Sequence, residues 1–208
     1  MDHRKARCER CQLHLELCAC EEMPELLTPT RVVVLLHAQE LKKPSNTGQL
    51  AARVLKNSET RIRGSADRTP LNLEGLFDEE YETVLLALTP ESVEIGSFQA
   101  DRPLRLLVPD GTWAQASRLA SKLQKKFPTL RTVKLTDTGP SFYRLRTEHD
   151  PNGMATYEAI ARALGELEGH ELREKMETFF RIFSDRMLYS RGKLRAEEVV
   201  GGIKKRKL

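Results

Sequence analysis

The chain reads as an α/β protein built on a mostly parallel sheet, and three observations point there. Apolar, β-branched runs recur at 31–37, 82–89, 104–109 and 131–135. Short, near-continuous runs of this kind are buried on both faces of a sheet. Each run ends in a polar or proline-containing cluster, and helical stretches return the chain between several of them. In a parallel sheet such clusters gather along one edge, where open α/β folds bind ligands.

A chain of 208 residues can bury one good core and leave material for a small appendage. Lys and Arg number 34 against 30 Asp and Glu, so the net charge of +4 does not by itself announce a nucleic-acid binder. Its placement is more telling. Arg4, Lys5, Arg7 and Arg10 crowd the start, and Arg186, Arg191, Lys193, Arg195 and Lys204-Lys205-Arg206-Lys207 the end. Both ends suit a polyanion. No apolar run spans a bilayer, and the first residues are too charged for a secretory leader; a cytoplasmic protein is expected. Nothing in the chain calls for an obligate protein partner, and the oligomeric state is open.

The elements follow in order. All four cysteines, Cys8, Cys11, Cys18 and Cys20, lie at the start as C-x2-C, six residues, then C-x-C. In a cytoplasmic chain this spacing favours a structural zinc ion with a closed thiolate shell over two disulfides, and either over four free thiols. The neighbouring arginines would offset the site's negative charge. His3 and His14 are bystanders or substitute ligands. After a link with Pro24 and Pro29, the first strand (31–37) empties into a polar cluster, and a helix resumes at 49–56. His37 and Glu40 read as a catalytic pair, or His37 as a hydrogen-bonded strand end with Asn46 or Thr47 as a helix cap. Residues 57–67 are polar and predict a loop, with Arg61, Arg63 and nearby Arg68 on a solvated surface; 71–77 predict a short helix.

The second strand closes on Thr89-Pro90-Glu91, and the third delivers Pro109-Asp110-Gly111-Thr112-Trp113, where a helix running to about Phe127 begins. Alone, Asp110 or Thr112 is a helix cap beside a buried Trp113, the only tryptophan. Arg118, Lys122, Lys125 and Lys126 share one side of that helix, facing either phosphates or water. The fourth strand leads into 136–146, broken by Gly139-Pro140 and carrying Arg144 and Arg146. A helix then opens with Thr156 in its first turn. The last helix, 170–189, spaces Leu172, Met176, Phe179, Phe183 and Met187 as a core stripe. Gly201-Gly202 releases a basic tail. The glycine patterns of dinucleotide and P-loop sites are missing after the first strand and elsewhere, which argues against those ligands.

Taken together and in this order, the clusters resemble the DTW-domain family. The resemblance rests on the cysteine set, His37 with Glu40, Asn46-Thr47-Gly48, Asp110-Gly111-Thr112-Trp113, Pro140-Ser141 and Thr156-Tyr157-Glu158-Ala159. It covers nearly the whole chain. Lys42-Lys43 stands where many members carry arginine, preserving phosphate attraction but not bidentate geometry. The resemblance implies a SPOUT-like sheet with a knotted C-terminal half. Its domains would be a zinc module at 1–24, a catalytic domain at 28–195 and a flexible basic tail at 196–208.

The same resemblance implies a transferase that moves the 3-amino-3-carboxypropyl group of S-adenosylmethionine to N3 of a tRNA uridine, in the variable loop by family analogy. Methylthioadenosine would be left. N3 is a poor nucleophile while protonated, so a base is needed, and Asp110 is its expected identity, with partial burial raising its pKa. Thr112 and Trp113 complete the expected catalytic set, Trp113 as an apolar wall or a stacking partner for a base. Thr89, Leu107, Pro109, Thr112, Thr156 and Glu158 are expected around the cosubstrate. His37, Glu40, Lys43, Asn46, Thr47, Ser141, Arg144 and Arg146 are expected on the RNA side. The rivals are a SPOUT-type RNA methyltransferase and a zinc-containing RNA-binding protein without catalysis.

Overall fold

The computed structural model describes residues 6–64, 70–137, 139–143, 145 and 154–203. Six strands among them form one sheet: β1 (Arg31–His37), β2 (Ser58–Arg63), β3 (Glu82–Leu86), β4 (Val93–Glu94), β5 (Leu104–Asp110) and β6 (Arg131–Lys134). Their order is β2-β1-β5-β3-β6-β4, and every neighbouring pair runs parallel. The expected fold class, α/β with a parallel sheet, is what the chain adopts.

Alternation along the strands divides the core between the two faces. Val32, Val34, Leu36, Leu106 and Val108 face one layer, which holds helices α1 (Thr47–Val54), α3 (Thr156–Glu168) and α4 (His170–Ser190). Val33, Leu35, Leu85 and Leu107 face the other, packed on Leu119, Ala120 and Leu123 of α2 (Trp113–Lys126). The stripe on α4 is buried at Met176, Phe179, Phe183 and Met187, while Leu172 is only partly covered. Phe180, also buried, stacks on Tyr157 with centroids 4.6 Å apart. Each such ring contributes about 1.5–3 kcal/mol by burial.

Three local expectations give way. Residues 57–67 form no simple loop: Ser58–Arg63 is the edge strand β2, in register from Val32↔Ser58 to His37↔Arg63. An edge strand needs only one apolar neighbour, so its alternation of Glu59, Arg61 and Arg63 with smaller or apolar residues reads as polar. Residues 71–77 are turns rather than a helix. Leu76 is buried, Phe77 stacks on Phe127 at 3.9 Å, and Arg61 donates to the carbonyls of Asn72 and Glu74. That apolar spacing serves a packed loop. The third strand runs on through Pro109 to Asp110; pairing with β3 has ended by Leu107, leaving β1 as the only strand beside Pro109.

The N-terminal segment packs on the helices of one layer. Cys11, Leu13, Leu17, Ala19 and Met23 are buried in the same core as α1, α3 and α4. Arg186 of α4, 1% exposed, fastens it: Nη1 donates to the Cys18 carbonyl at 2.8 Å, and Nη2 to Glu22 Oε1 at 2.7 Å. Its Nε donates to the Gly202 carbonyl at 3.3 Å. In the segment 196–203, where a basic tail is expected to begin, Val199 is buried and most other residues are exposed. No helix among the described residues is long and apolar enough to cross a membrane.

Candidate active site

Because every strand is parallel, His37, Arg63 and Asp110 arrive at one edge as the last residues of β1, β2 and β5. Asp110 is 4% exposed. Its Oδ2 accepts from Asn46 Nδ2 at 2.6 Å, and its Oδ1 from the Thr156 hydroxyl. Asn46 is also the N-cap of α1, its Oδ1 accepting from the Gln49 amide at 2.7 Å. Thr156 is the first residue of α3. One carboxylate thus ties a strand end to two helix starts, where the helix dipoles favour negative charge. Gly48 makes room: a Cβ there would lie 2.8 Å from Asp110 Cγ.

Thr112 caps α2 in a reciprocal pair: its hydroxyl accepts from the Gln115 amide at 3.3 Å, and Gln115 Oε1 accepts from the Thr112 amide at 2.9 Å. Gln115 Nε2 reaches Gln39 Oε1 at 3.1 Å, joining α2 to the turn after β1. Trp113 opens α2 and is 46% exposed. The expected buried indole is instead a half-open face at the sheet edge. Leu41, Leu88 and Phe142, which follow β1, β3 and β6, are also exposed and add apolar surface beyond the strand ends.

His37 Nδ1 accepts from the Gln39 amide at 3.2 Å, so Nε2 carries the proton of the neutral ring. Partial burial, and then the charge of Arg63, hold its pKa below the ordinary value, against the pull of Glu40. Glu40 is buried and accepts from Lys43 Nζ at 2.6 Å. Thr47 is buried at the first residue of α1.

The other expected residues have the following contacts. Leu107 is fully buried on the α2 face, about 10 Å of strand from Asp110. Thr89 is engaged with Ser92 and Thr132. Glu158, fully buried, accepts from the Phe142 amide at 2.6 Å, the Ser141 hydroxyl at 2.5 Å and the Ala155 amide at 3.0 Å. Its carboxylate therefore holds the segment after β6. Arg162, one turn on and 1% exposed, donates to the carbonyls of Gly139 and Pro140. Arg144 and Arg146 lie outside the described residues. Sequence reasoning put Arg63 on a solvated surface and passed over Arg162, Gln39 and Gln115; only Gln115, three residues after Thr112, carried a capping-box signal.

The four cysteine sulfurs all lie within 4.8 Å of one another. Cys8 and Cys20 are 3.5 Å apart, Cys11 and Cys18 3.8 Å, far beyond a disulfide bond. Four thiolates around a tetrahedral ion with bonds of about 2.3 Å would stand about 3.8 Å apart, so the set fits. Burial would raise the Cys8 thiol, but amides of Cys11 and Arg10 and the Cys20 thiol bring it down to about 7. Burial pushes Cys11 up to about 11. Arg7 and Arg10 turn away, to the Gln12 carbonyl and Glu25. Arg53 of α1 stands near instead: burial lowers its pKa, and Cys11, Cys8 and Cys20 oppose that fall.

A model of the DTW domain matches residues 5–188. The chain belongs to the DTW domain family. Among curated proteins, this DTW domain is similar to tRNA-uridine aminocarboxypropyltransferase 2 of Drosophila melanogaster, 28% identical over 182 residues, covering 84% of this chain and 72% of the fly protein. It is also similar to tRNA-uridine aminocarboxypropyltransferase A of Arabidopsis thaliana, 29% identical over 206 residues, covering 84% and 78%. No solved structure matches it.

Within this DTW domain the His37 ring offers a direct check. Its resonances should titrate with a midpoint below 6.5, with the neutral Nε2–H tautomer present above that pH. The sign follows from the depressed pKa: His37 favours the fold fully above 6.5 and loses that contribution as pH falls through its folded value. Nitrogen-resolved NMR reads both; a midpoint above 6.5 would contradict the geometry.

Proposed function

We propose that this chain transfers the 3-amino-3-carboxypropyl group of S-adenosylmethionine to N3 of a uridine in tRNA, in the variable loop. The observation that carries this reading is the Asn46–Asp110–Thr156 constellation at the sheet edge of a DTW domain whose curated relatives bear that activity in their names. In the reaction, the N3 lone pair attacks the CH2 carbon bonded to the sulfonium. The new N–C bond forms as the C–S bond breaks, and its electron pair goes to sulfur, leaving neutral methylthioadenosine. The N3 proton goes to Asp110.

Asn46 and Thr156 orient the Asp110 carboxylate by donating one hydrogen bond to each oxygen. Trp113, half exposed one residue beyond the Thr112 cap, offers a face for a flipped base. Pro109, Thr112 and Thr156 flank the carboxylate on the cosubstrate side, and Glu158 with Ser141 acts as a positioning pair for the segment after β6. On α2, Arg118, Lys122 and Lys125 step about 6 and 4.5 Å along the axis. They are exposed, form no ion pair among the described residues, and the helix contains no acid. That favours a run of tRNA phosphates along this face, fixing register rather than reading sequence. We assign zinc to the cysteine cluster in a structural role, with Arg53 offsetting its charge.

Incubation with unmodified tRNA and carboxyl-labelled S-adenosylmethionine should place label in the RNA. Methyl label entering instead would favour a methyltransferase, and neither would favour a binding protein. In Asp110→Asn, the new side chain can still accept from Asn46 and donate to the Thr156 hydroxyl. We expect binding of S-adenosylhomocysteine within about twofold and a loss of roughly 10²–10⁴ in single-turnover rate; retained turnover would sink the base role. Elemental analysis should find about one zinc per chain, and a folded, metal-free protein would refute the site.

A further inference from the structure

Several buried or partly buried arginines among the described residues meet carboxylates, though Arg162 spends its Nη atoms on the carbonyls of Gly139 and Pro140. Arg105 meets Asp78, and Arg186 meets Glu22. Arg173, partly buried, meets Glu177 and Asp137. Arg63 departs from the pattern. It is partly buried at the end of β2, and among the described residues its one hydrogen bond is from Nη2 to the Gln115 carbonyl at 3.1 Å. Its Nε is buried with no partner among the described residues, as are those of Arg105 and Arg162. Among the described residues it forms no ion pair, although Asp110 is near enough to oppose the lowering of its pKa by burial. The Asp110 oxygens are bonded to Asn46 and Thr156.

A second donor stands beside it. His37 is the register partner of Arg63 across β1 and β2. Its Nε2–H is the donor left once Nδ1 has accepted from Gln39. Gly64, at φ +69°, admits the imidazole: a Cβ there would lie 2.9 Å from Nε2. A guanidinium with unused donors, an imidazole N–H and a nearby carboxylate thus converge at the strand edge.

We propose that Arg63, with His37 Nε2–H beside it, captures the α-carboxylate of the donor's amino-acid end, and so decides which sulfonium carbon is transferred. This rests on the function proposed above. A partly desolvated guanidinium prefers a planar, bidentate anion, and a carboxylate is one. A phosphodiester would bring uncompensated negative charge next to Asp110. A zwitterionic amino-acid end brings its own ammonium, which offsets that repulsion. The carboxylate is separated from the reacting carbon only by Cα and Cβ. Anchoring it turns the CH2 carbon toward the uridine, while the methyl group on the same sulfur points elsewhere. Arg63 is then a specificity-determining residue.

Two nucleosides separate this role from a general one. S-adenosylhomocysteine carries the carboxylate, and methylthioadenosine lacks it. Calorimetry on the full chain should show Arg63→Gln weakening S-adenosylhomocysteine by about tenfold or more, the worth of one hydrogen bond to a charged group. Methylthioadenosine should stay within about twofold. Arg63→Lys keeps the charge without the fork, should fall between, and serves if the glutamine variant melts early. Equal weakening of both nucleosides, or of neither, overturns the inference, as does weakened tRNA binding with S-adenosylhomocysteine unchanged. Wild-type protein that binds neither nucleoside overturns the proposed function and this inference with it.

Discussion

A buried carboxylate must be surrounded by donors, and in this protein that requirement shapes the sheet edge. Asp110 sits at the end of a central strand with almost no contact with water, so its charge is sustained by Asn46 and Thr156. Each donor also begins a helix. The start of α1, the start of α3 and the end of β5 are therefore located relative to one another by a single group. Remove the charge-assisted bonds and three connections lose their common reference, although the hydrophobic layers beneath remain.

The same device recurs away from the edge. Glu158 and Arg162 lie one turn apart on α3, and both are spent on backbone groups of 139–142 and on the start of α3 itself. Arg186 does likewise for the N-terminal segment and the chain's last described turn. Buried charges holding the carbonyls and amides of loops give those loops defined positions that packing alone would not.

The sheet was legible because burial on both faces forces near-continuous apolar strands, and 32–36 and 106–108 show that pattern. The caps Asn46 and Thr112 and the stripe on α4 were legible for equally local reasons. Strand β2 was not, since an edge strand alternates charge with partial burial and looks like a loop. With β2 went Arg63, whose surroundings come from β1 and α2, far away in sequence. For Glu158, expected beside the cosubstrate, the fold shows contacts with backbone amides and Ser141. A carboxylate at a helix start has the same one-dimensional appearance whether it meets a ligand or its own backbone. Trp113 was expected inside because tryptophan usually is; its place at the first residue of α2, just past the strand end, leaves half of it outside.

Gly48 carries a consequence for how this family of sequences can drift. The space where its side chain would be is filled by the Asp110 carboxyl and by Val34. A larger residue at 48 and a longer acid at 110 compete for one volume, so neither position can change freely while the other stays. Gly48 and Asp110, separated by about 200 Å of extended chain, are thus sterically coupled. A relative that has lost the glycine should be searched for a changed acid before it is credited with the same chemistry.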